Sequence, residues 1–546
     1  MQPAWLVVLP PVFALTLAFI TRRINLSLII GIILSALIAT DFSLMHAVTK
    51  TLKSLWDTTE LGSLASWNTF VANENLFMCM FLIILGIIIN LIGHSGGIHA
   101  YSQRMRKRIK NKMHAETASI ILSLLFFMDD YFSCLTTGAI IHPLTDKFKV
   151  PRVKLAFLID SMAAPLAALF PISSFFGAII VPLRNAGVSD VITAGTLVAT
   201  DTFEVYIKTL PFIFYSLIII PCAFFIVRKG ISFGAMKKQE DIALKTGNLF
   251  GGKKPLKHKV RPPSACNTNR CSIFDFIFPI GLLFITVIFI LLYTGNFYLC
   301  GGSRSLIHAC QNANIFIALS LGGSITLVTS TLLLLFRKRV QAKELPSIFY
   351  EGAHLMFAAV IILILSWTLG SLIRNDLHTG QYLAQLLIGS INVALMPLVF
   401  FLTATITSLS TGSSWGTMAI FIPIGVPMLL PLAGLQAPVS VDALPILLPA
   451  MGAIISGALI GDHISPLSDT TIMASASSGC HHIDHIKTQT TYALPIMIST
   501  ALAFLAAGFL APYGMLLNLL VSLTIGISGS FLSLKILDYF AHRKTL

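Results

Sequence analysis

The chain has 546 residues, 55% of them hydrophobic and only 11% charged, against about 25% charged in an ordinary soluble domain. With a mean hydropathy of +0.84 and apolar stretches of about 20 residues recurring from end to end, it reads as an all-α polytopic membrane protein with no room for a soluble catalytic domain. The net charge of +14 is distributed in loops, where it reports orientation rather than nucleic-acid affinity.

In chain order, residues 1–75 are expected to hold amino-terminal membrane helices and an outer loop, 76–227 a first transport repeat, and 228–272 a basic cytoplasmic linker. Residues 273–345 supply connecting membrane helices, 346–511 a second transport repeat, and 512–546 a last membrane helix with a short tail. No basic residue precedes the first apolar stretch and Arg22 and Arg23 follow it, which favours an outside start and a retained helix over a cleaved signal. Basic clusters at Arg104 to Lys112, Asp146 to Lys154, Arg228 to Arg270, Arg337 to Lys343 and His542 to Lys544 should be cytoplasmic. The basic-poor segments Asp41 to Asn75, Pro182 to Glu204, Asn296 to Asn312, Arg374 to Gly380 and Pro431 to Asp442 should lie outside. Cys300 and Cys310 share one of these outer loops, where either a disulfide or two free thiols fits.

Threading the chain through these sides exposes a parity problem. Thr117 to Pro143 lies between two basic loops, so it must enter and return; Tyr382 to Leu430, interrupted by LSTGSSWG, lies between two basic-poor loops and must do the same from outside. Each hairpin precedes an apolar segment broken by an aspartate and prolines: Asp160 with Pro165 and Pro171, then Asp462 with Pro466. The same order in opposite orientation predicts two inverted-topology repeats, each with a re-entrant or broken hairpin and a discontinuous transmembrane helix, and a site near the midplane. Thr136-Thr137-Gly138 against Ser410-Thr411-Gly412, and Asp160 to Pro165 against Asp462 to Pro466, are short echoes in support.

The second broken segment, GALIGDHISPLSDTTIMASASSG from Gly457 to Gly479, is the strongest site signal. A carboxylate at bilayer depth is costly and marks an ion or proton path, while a proline frees backbone carbonyls beside it. Asp160, Asp462 and Asp469 are the expected cation and proton ligands, with Asp129 or Asp130 from LLFFMDDYFSCLTTG contributing. Consecutive helical residues point about 100° apart, so Asp129 and Asp130 share a site only if the helix breaks there. Ser161, Ser173, Ser174, Ser465 and Thr470 could complete the oxygen shell of a small hard cation. Desolvation favours the protonated form of a carboxylate, so proton and cation compete for one charge. That competition alone gives exchange if the empty, ionised form crosses poorly.

Three motifs point elsewhere. GSSWG, Gly412 to Gly416, fits a nucleophile pattern and with His463 would suggest an intramembrane serine hydrolase using Ser414, although its hydroxyl-rich flanks suit a hairpin tip. GNLFGGKK, Gly247 to Lys254, nearly spells a phosphate loop but has Lys254 where Ser or Thr is needed. CHHIDH, Cys480 to His485, falls in an expected cytoplasmic loop as a solvated histidine cluster; a metal site or a pH sensor is the alternative.

At these residues the chain resembles the NhaC-type sodium/proton antiporter family. The resemblance lies in MDDYFSCLTTGAIIHPLTDKF, KLAFLIDSMAAPLAALFPISSF, STGSSWGTMAIFIPI and SGALIGDHISPLSDTTIMASASSGCHHIDHIKTQTTYALP, from about Met128 to Pro495. It implies secondary exchange of sodium against protons in a bacterial cytoplasmic membrane, with a path lined by Asp129, Asp130, Asp160, Ser173, Ser174, Thr411, Gly412, Asp462, Ser465, Asp469 and Thr470; Ser413 joins them at the hairpin tip. The family also holds members resembling exchangers of small carboxylates such as malate and lactate. The expected partners are the transported ions and the lipid bilayer, with no cofactor, no metal beyond the transported cation and no nucleic acid; a homo-oligomer is left open.

Overall fold

A helix in a bilayer satisfies its own backbone, so each interruption leaves donors and acceptors that must find partners within the protein. Four interruptions organise this fold. The computed structural model describes residues 4–21, 24–59, 73–97, 100, 104, 109–171, 173–193, 195–255, 272–297, 313–379, 382, 391–466 and 468–543. Cys300 and Cys310 lie outside the described residues. Among the described residues eight helices are long and apolar enough to cross a membrane.

The chain divides into two compact units, Met1–Leu52 with Lys110–Val260 and Leu365–Leu546, and Lys53–Ile109 with Arg261–Ile364. Residues 76–109 and 346–364, placed by the sequence reading at the start of each repeat, therefore belong to the second unit. That unit contains the helices Glu74–His94, Phe274–Thr294 and Ile315–Phe336. Its fully buried Asp275 is held by Arg337 and Arg339, each at 2.7 Å.

Both repeats lie in the first unit. The first has a hairpin, α1 (Lys112–Leu125) and α2 (Asp130–Lys147), then a broken helix, α3 (Arg152–Leu169) and α4 (Phe175–Asn185). It is followed by α5 (Phe214–Lys229) and α6 (Gly234–Thr246). The second has a hairpin, α7 (Met396–Thr411) and α8 (Ser414–Leu432), then a broken helix, α9 (Leu447–His463) and α10 (Asp469–Ser478). Two long helices, α11 (His482–Leu510) and α12 (Met515–Arg543), close the chain. The first hairpin thus runs wider than the Thr117 to Pro143 read from apolar runs, with its first arm capped by Asn111, and the second starts later than Tyr382 and ends at Leu432.

Each interruption has local chemistry. Asn111 caps α1 by accepting from His114 N–H, and Asp130 opens α2 by accepting from Tyr131 N–H. Gly412 ends α7 at φ 66°, a left-handed conformation that favours glycine, and Ser413 caps α8 by accepting from Gly416 N–H. Ser468 caps α10 by accepting from Thr471 N–H. Pro171 and Pro466 sit in the two breaks of the broken helices. The first halves, α3 and α9, are buried almost all round, as helices at the centre of a bundle are.

The repeats are inverted, and the contacts at their ends show how. Where the chain passes from the first hairpin into α3, Arg152 Nη1 donates to the Ser478 carbonyl at the end of α10, 3.3 Å away. Where it passes from the second hairpin toward α9, Val439 pairs with the loop after α4: its N–H donates to Leu197 and its carbonyl accepts from Ala199. This loop also holds the short parallel pair β1 (Val188–Ser189) and β2 (Val198–Ala199). The hairpin end of each repeat thus meets the broken-helix end of the other, with α10 against α2 and α4 against α8, as opposite orientation requires. The sequence echoes do not mark equivalent positions. Thr136-Thr137-Gly138 lies within α2 whereas Thr411-Gly412 ends α7, and Pro165 lies within α3 whereas Pro466 lies in a break.

Small residues set the closest approach. On α9, Gly457 and Gly461 face the backbone of α7, where an added Cβ would meet the carbonyls of Phe401 and Thr405 at 2.4 and 2.3 Å. The first part of the expected linker is a docked helix: Glu240 on α6 binds the buried Lys154 on α3 at 2.6 Å and Lys112 at 3.1 Å, and Lys154 also binds Glu116 on α1 at 3.2 Å. The near-phosphate-loop residues pack as structure, with Arg152 over the Phe250 ring and Lys253 paired with Asp484.

Two outcomes follow. Gly461→Val should push α9 from α7 and lower the thermal midpoint of detergent-purified protein by an amount corresponding to about 1–3 kcal/mol. Lys154→Met, which leaves Glu116 and Glu240 facing each other with only Lys112, should cost about 3–5 kcal/mol in the same measurement.

Candidate functional site

The break before α2 is what allows two consecutive acids to share one place. Asp129 lies in the hairpin turn and Asp130 is the first residue of α2, and both are buried. Asp130 is within electrostatic reach of Asp129 and, from the other repeat, of Asp462. Asp462 is the second-last residue of α9 and is also buried. Its Oδ2 accepts from Thr470 Oγ1 at 3.4 Å, and Thr470 Oγ1 in turn accepts from the Ser468 hydroxyl at 2.9 Å. Asp462 Oδ1 is buried with no hydrogen-bond partner among the described residues. No lysine or arginine pairs with Asp130 or Asp462 among the described residues.

Asp160, midway along α3, has a different environment. Its Oδ2 accepts from Thr471 Oγ1 on α10 at 3.1 Å and from Gln489 Nε2 on α11 at 2.5 Å. His485 Nε2 lies 3.4 Å and His463 Nε2 4.0 Å from the same oxygen. The Gln489 amide also donates to the His463 carbonyl at the end of α9, and His463 Nδ1 bonds the Tyr215 hydroxyl on α5. All these side chains are buried. Four helices, α3, α9, α10 and α11, therefore meet at one carboxylate, with α5 joined to it through His463.

The histidine cluster differs from its sequence reading. Helix α11 begins at His482, so CHHIDH is not a solvated loop, and its histidines part to separate partners. His485 is fully buried at Asp160; His482 bonds Ser475 Oγ at 3.0 Å and the Pro466 carbonyl at 2.9 Å; His481 bonds the Lys254 carbonyl at 3.1 Å. Thr471, Ser468, Gln489 and Tyr215 are additions to the residues read from sequence, and His485 moves from the histidine cluster to the surroundings of Asp160. His485 and Gln489 stand four apart on α11, with Thr488 and Tyr492 also buried, so a polar stripe at helical spacing was the available signal.

The other predicted residues divide. Several hydroxyls are committed to carbonyls: Ser161 to Phe157 within α3, and at or near the breaks Ser173 to Ala167 and Ser465 to Leu409, while Ser413 caps α8. Ser174 N–H donates to the Met128 carbonyl, tying the first break to the first hairpin turn. Thr411, Gly412 and Ser413 form the second hairpin tip and none of them bonds one of the acids. Asp469, the first residue of α10, is exposed, while remaining within electrostatic reach of Asp462. Ser414 and His463 do not form a nucleophile and base, since the two ring nitrogens of His463 face Tyr215 and Asp160.

Residues 183–509 match the model of the Na+/H+ antiporter family. An uncharacterized protein of Haemophilus influenzae is 32% identical over 512 residues, covering 92% of this chain and 90% of that protein. The malate-2H(+)/Na(+)-lactate antiporter of Bacillus subtilis is 31% identical over 170 residues, covering 31% of this chain and 33% of its own length. The solved YdaH transporter of Alcanivorax borkumensis, described as having an unusual topology, shares the fold with a TM-score of 0.52 at 12% identity, over 85% of this chain and 89% of that one. With the matched family model covering the second repeat and more than half of the sequence, the chain belongs to the Na+/H+ antiporter family, a family of membrane transporters rather than enzymes.

Proposed function

We propose that this antiporter exchanges sodium for protons by alternating access, with both cargoes competing for the carboxylates of Asp129, Asp130 and Asp462. The observation that carries the reading is that buried acids from both repeats converge at helix breaks, and that among the described residues no lysine or arginine lies beside Asp130 or Asp462. Adjacent carboxylates in a medium of low dielectric repel strongly, so the group is stable only when protons or a cation offset the charge. Thr470, Ser468 and backbone freed at the breaks supply neutral oxygen for a small hard cation. Sodium entering displaces protons, and protons returning displace sodium.

Exchange of a dicarboxylate, suggested by the Bacillus subtilis relative, fits less well. Such an anion would need a cationic partner, whereas the convergent groups are acids, and the buried Lys154 is already bound to Glu116 and Glu240. We place the protein in the bacterial cytoplasmic membrane with its carboxy-terminal end inside. Support comes from the basic segments that gather at one end of the first unit, where Lys253 meets Asp484 and Lys237 donates to the Ala541 carbonyl.

In sealed vesicles holding the purified protein, a sodium gradient should drive a pH change that malate and lactate do not. Asp462→Asn and Asp130→Asn should each lower that flux at least 100-fold while the protein still inserts and purifies as a single species; full flux in Asp462→Asn would reject the site. Asp469→Asn, at an exposed position, should keep the flux within about threefold of wild type.

A further inference from the structure

Every donor around Asp160 addresses one oxygen. Oδ2 receives Thr471 Oγ1 and Gln489 Nε2 and faces His485 and His463, whereas no hydrogen bond reaches Oδ1 from the described residues. The two closest donors tie this oxygen to both sides of the break that follows Asp462. Thr471 is on α10, after the break; the Gln489 amide, arriving from α11, also holds the His463 carbonyl at the end of α9, before it. Both partners of this amide are acceptors, so its nitrogen must face them. An uncharged side chain with two N–H groups on one nitrogen meets this requirement, and lysine would do so only by adding a charge.

We infer that Gln489 and Thr471 are positioning residues for the exchange: together they fix the Asp160 carboxylate of the first repeat to the broken helix of the second, setting the spacing between Asp160 and Asp462. This rests on the reading of Asp462 as a cargo ligand. A ligand shell must be held within about 0.5 Å to bind well, and here the two helix ends that present Asp462 and Thr470 are joined through one oxygen. A purely structural role predicts something else, a loss of stability with cation affinity unchanged, because the buried polar groups would then only need satisfying.

The test is the sodium dependence of proton flux in vesicles of the full chain. Gln489→Met keeps length and removes the donors; Thr471→Val keeps shape and removes the hydroxyl; Thr471→Ser keeps the hydroxyl. Loss of one hydrogen bond to a charged acceptor should raise half-saturating sodium about tenfold, with maximal flux within about twofold, in the first two variants, and Thr471→Ser should restore the wild-type value. Unchanged half-saturation with a lower melting temperature would overturn the inference, and should Gln489→Met fail to insert, Thr471→Val against Thr471→Ser gives the same readout. Asp462→Asn exchanging like wild type would remove the cargo site on which the inference rests. Asp462→Asn inactive beside wild-type half-saturation in both donor variants would remove the positioning role alone.

Discussion

An ionised carboxylate taken out of water must be met by something, and the whole transport unit is arranged around how that demand is answered at different acids. Asp160 is answered by a threonine and a glutamine that donate to it and by two histidines facing the same oxygen, from three other helices. Asp130 and Asp462 are answered by no basic side chain among the described residues, and lie within electrostatic reach of one another. The first arrangement makes a fixed junction. The second makes a group of buried carboxylates with no basic partner among the described residues, the feature on which the proposed exchange rests.

The helix breaks serve both. A continuous helix would place Asp129 and Asp130 on different faces; starting α2 at Asp130 brings them together. The break after α9 similarly puts Asp462 next to Ser468 and Thr470 rather than a turn of hydrocarbon. Each interruption is tolerable because its freed backbone is bonded within the bundle, by Ser173, Ser465 and Ser413, and by Ser174 N–H against Met128. Those serines are why the breaks persist, which is a different role from binding cargo.

The inversion supplies the remaining logic. Because the hairpin end of each repeat meets the broken-helix end of the other, acids from the two repeats approach each other in the middle of the unit. At one end the junction is reinforced by the Lys154 ion-pair cluster, which docks α6 on the starts of α1 and α3. At the other a short strand pair with Val439 joins the two loops. Close approach of α9 to α7 through Gly457 and Gly461 leaves the broken helix without slack.

Membrane class, the inverted order of elements and the placing of Asp129, Asp130, Asp160 and Asp462 inside the bundle were readable from the chain, because hydropathy, loop charge and proline are local properties that the bilayer acts on directly. The partners of those acids were not. Gln489 and His485 lie more than 300 residues from Asp160 in sequence, and only packing α11 against α3 brings them together. The same limit misassigned the histidine cluster, since a start for α11 at His482 turns an apparent loop into a buried face. Hydropathy and loop charge thus determine which residues enter the membrane and with what symmetry; which polar groups answer which carboxylate depends on long-range contact, and only the tertiary structure decides it.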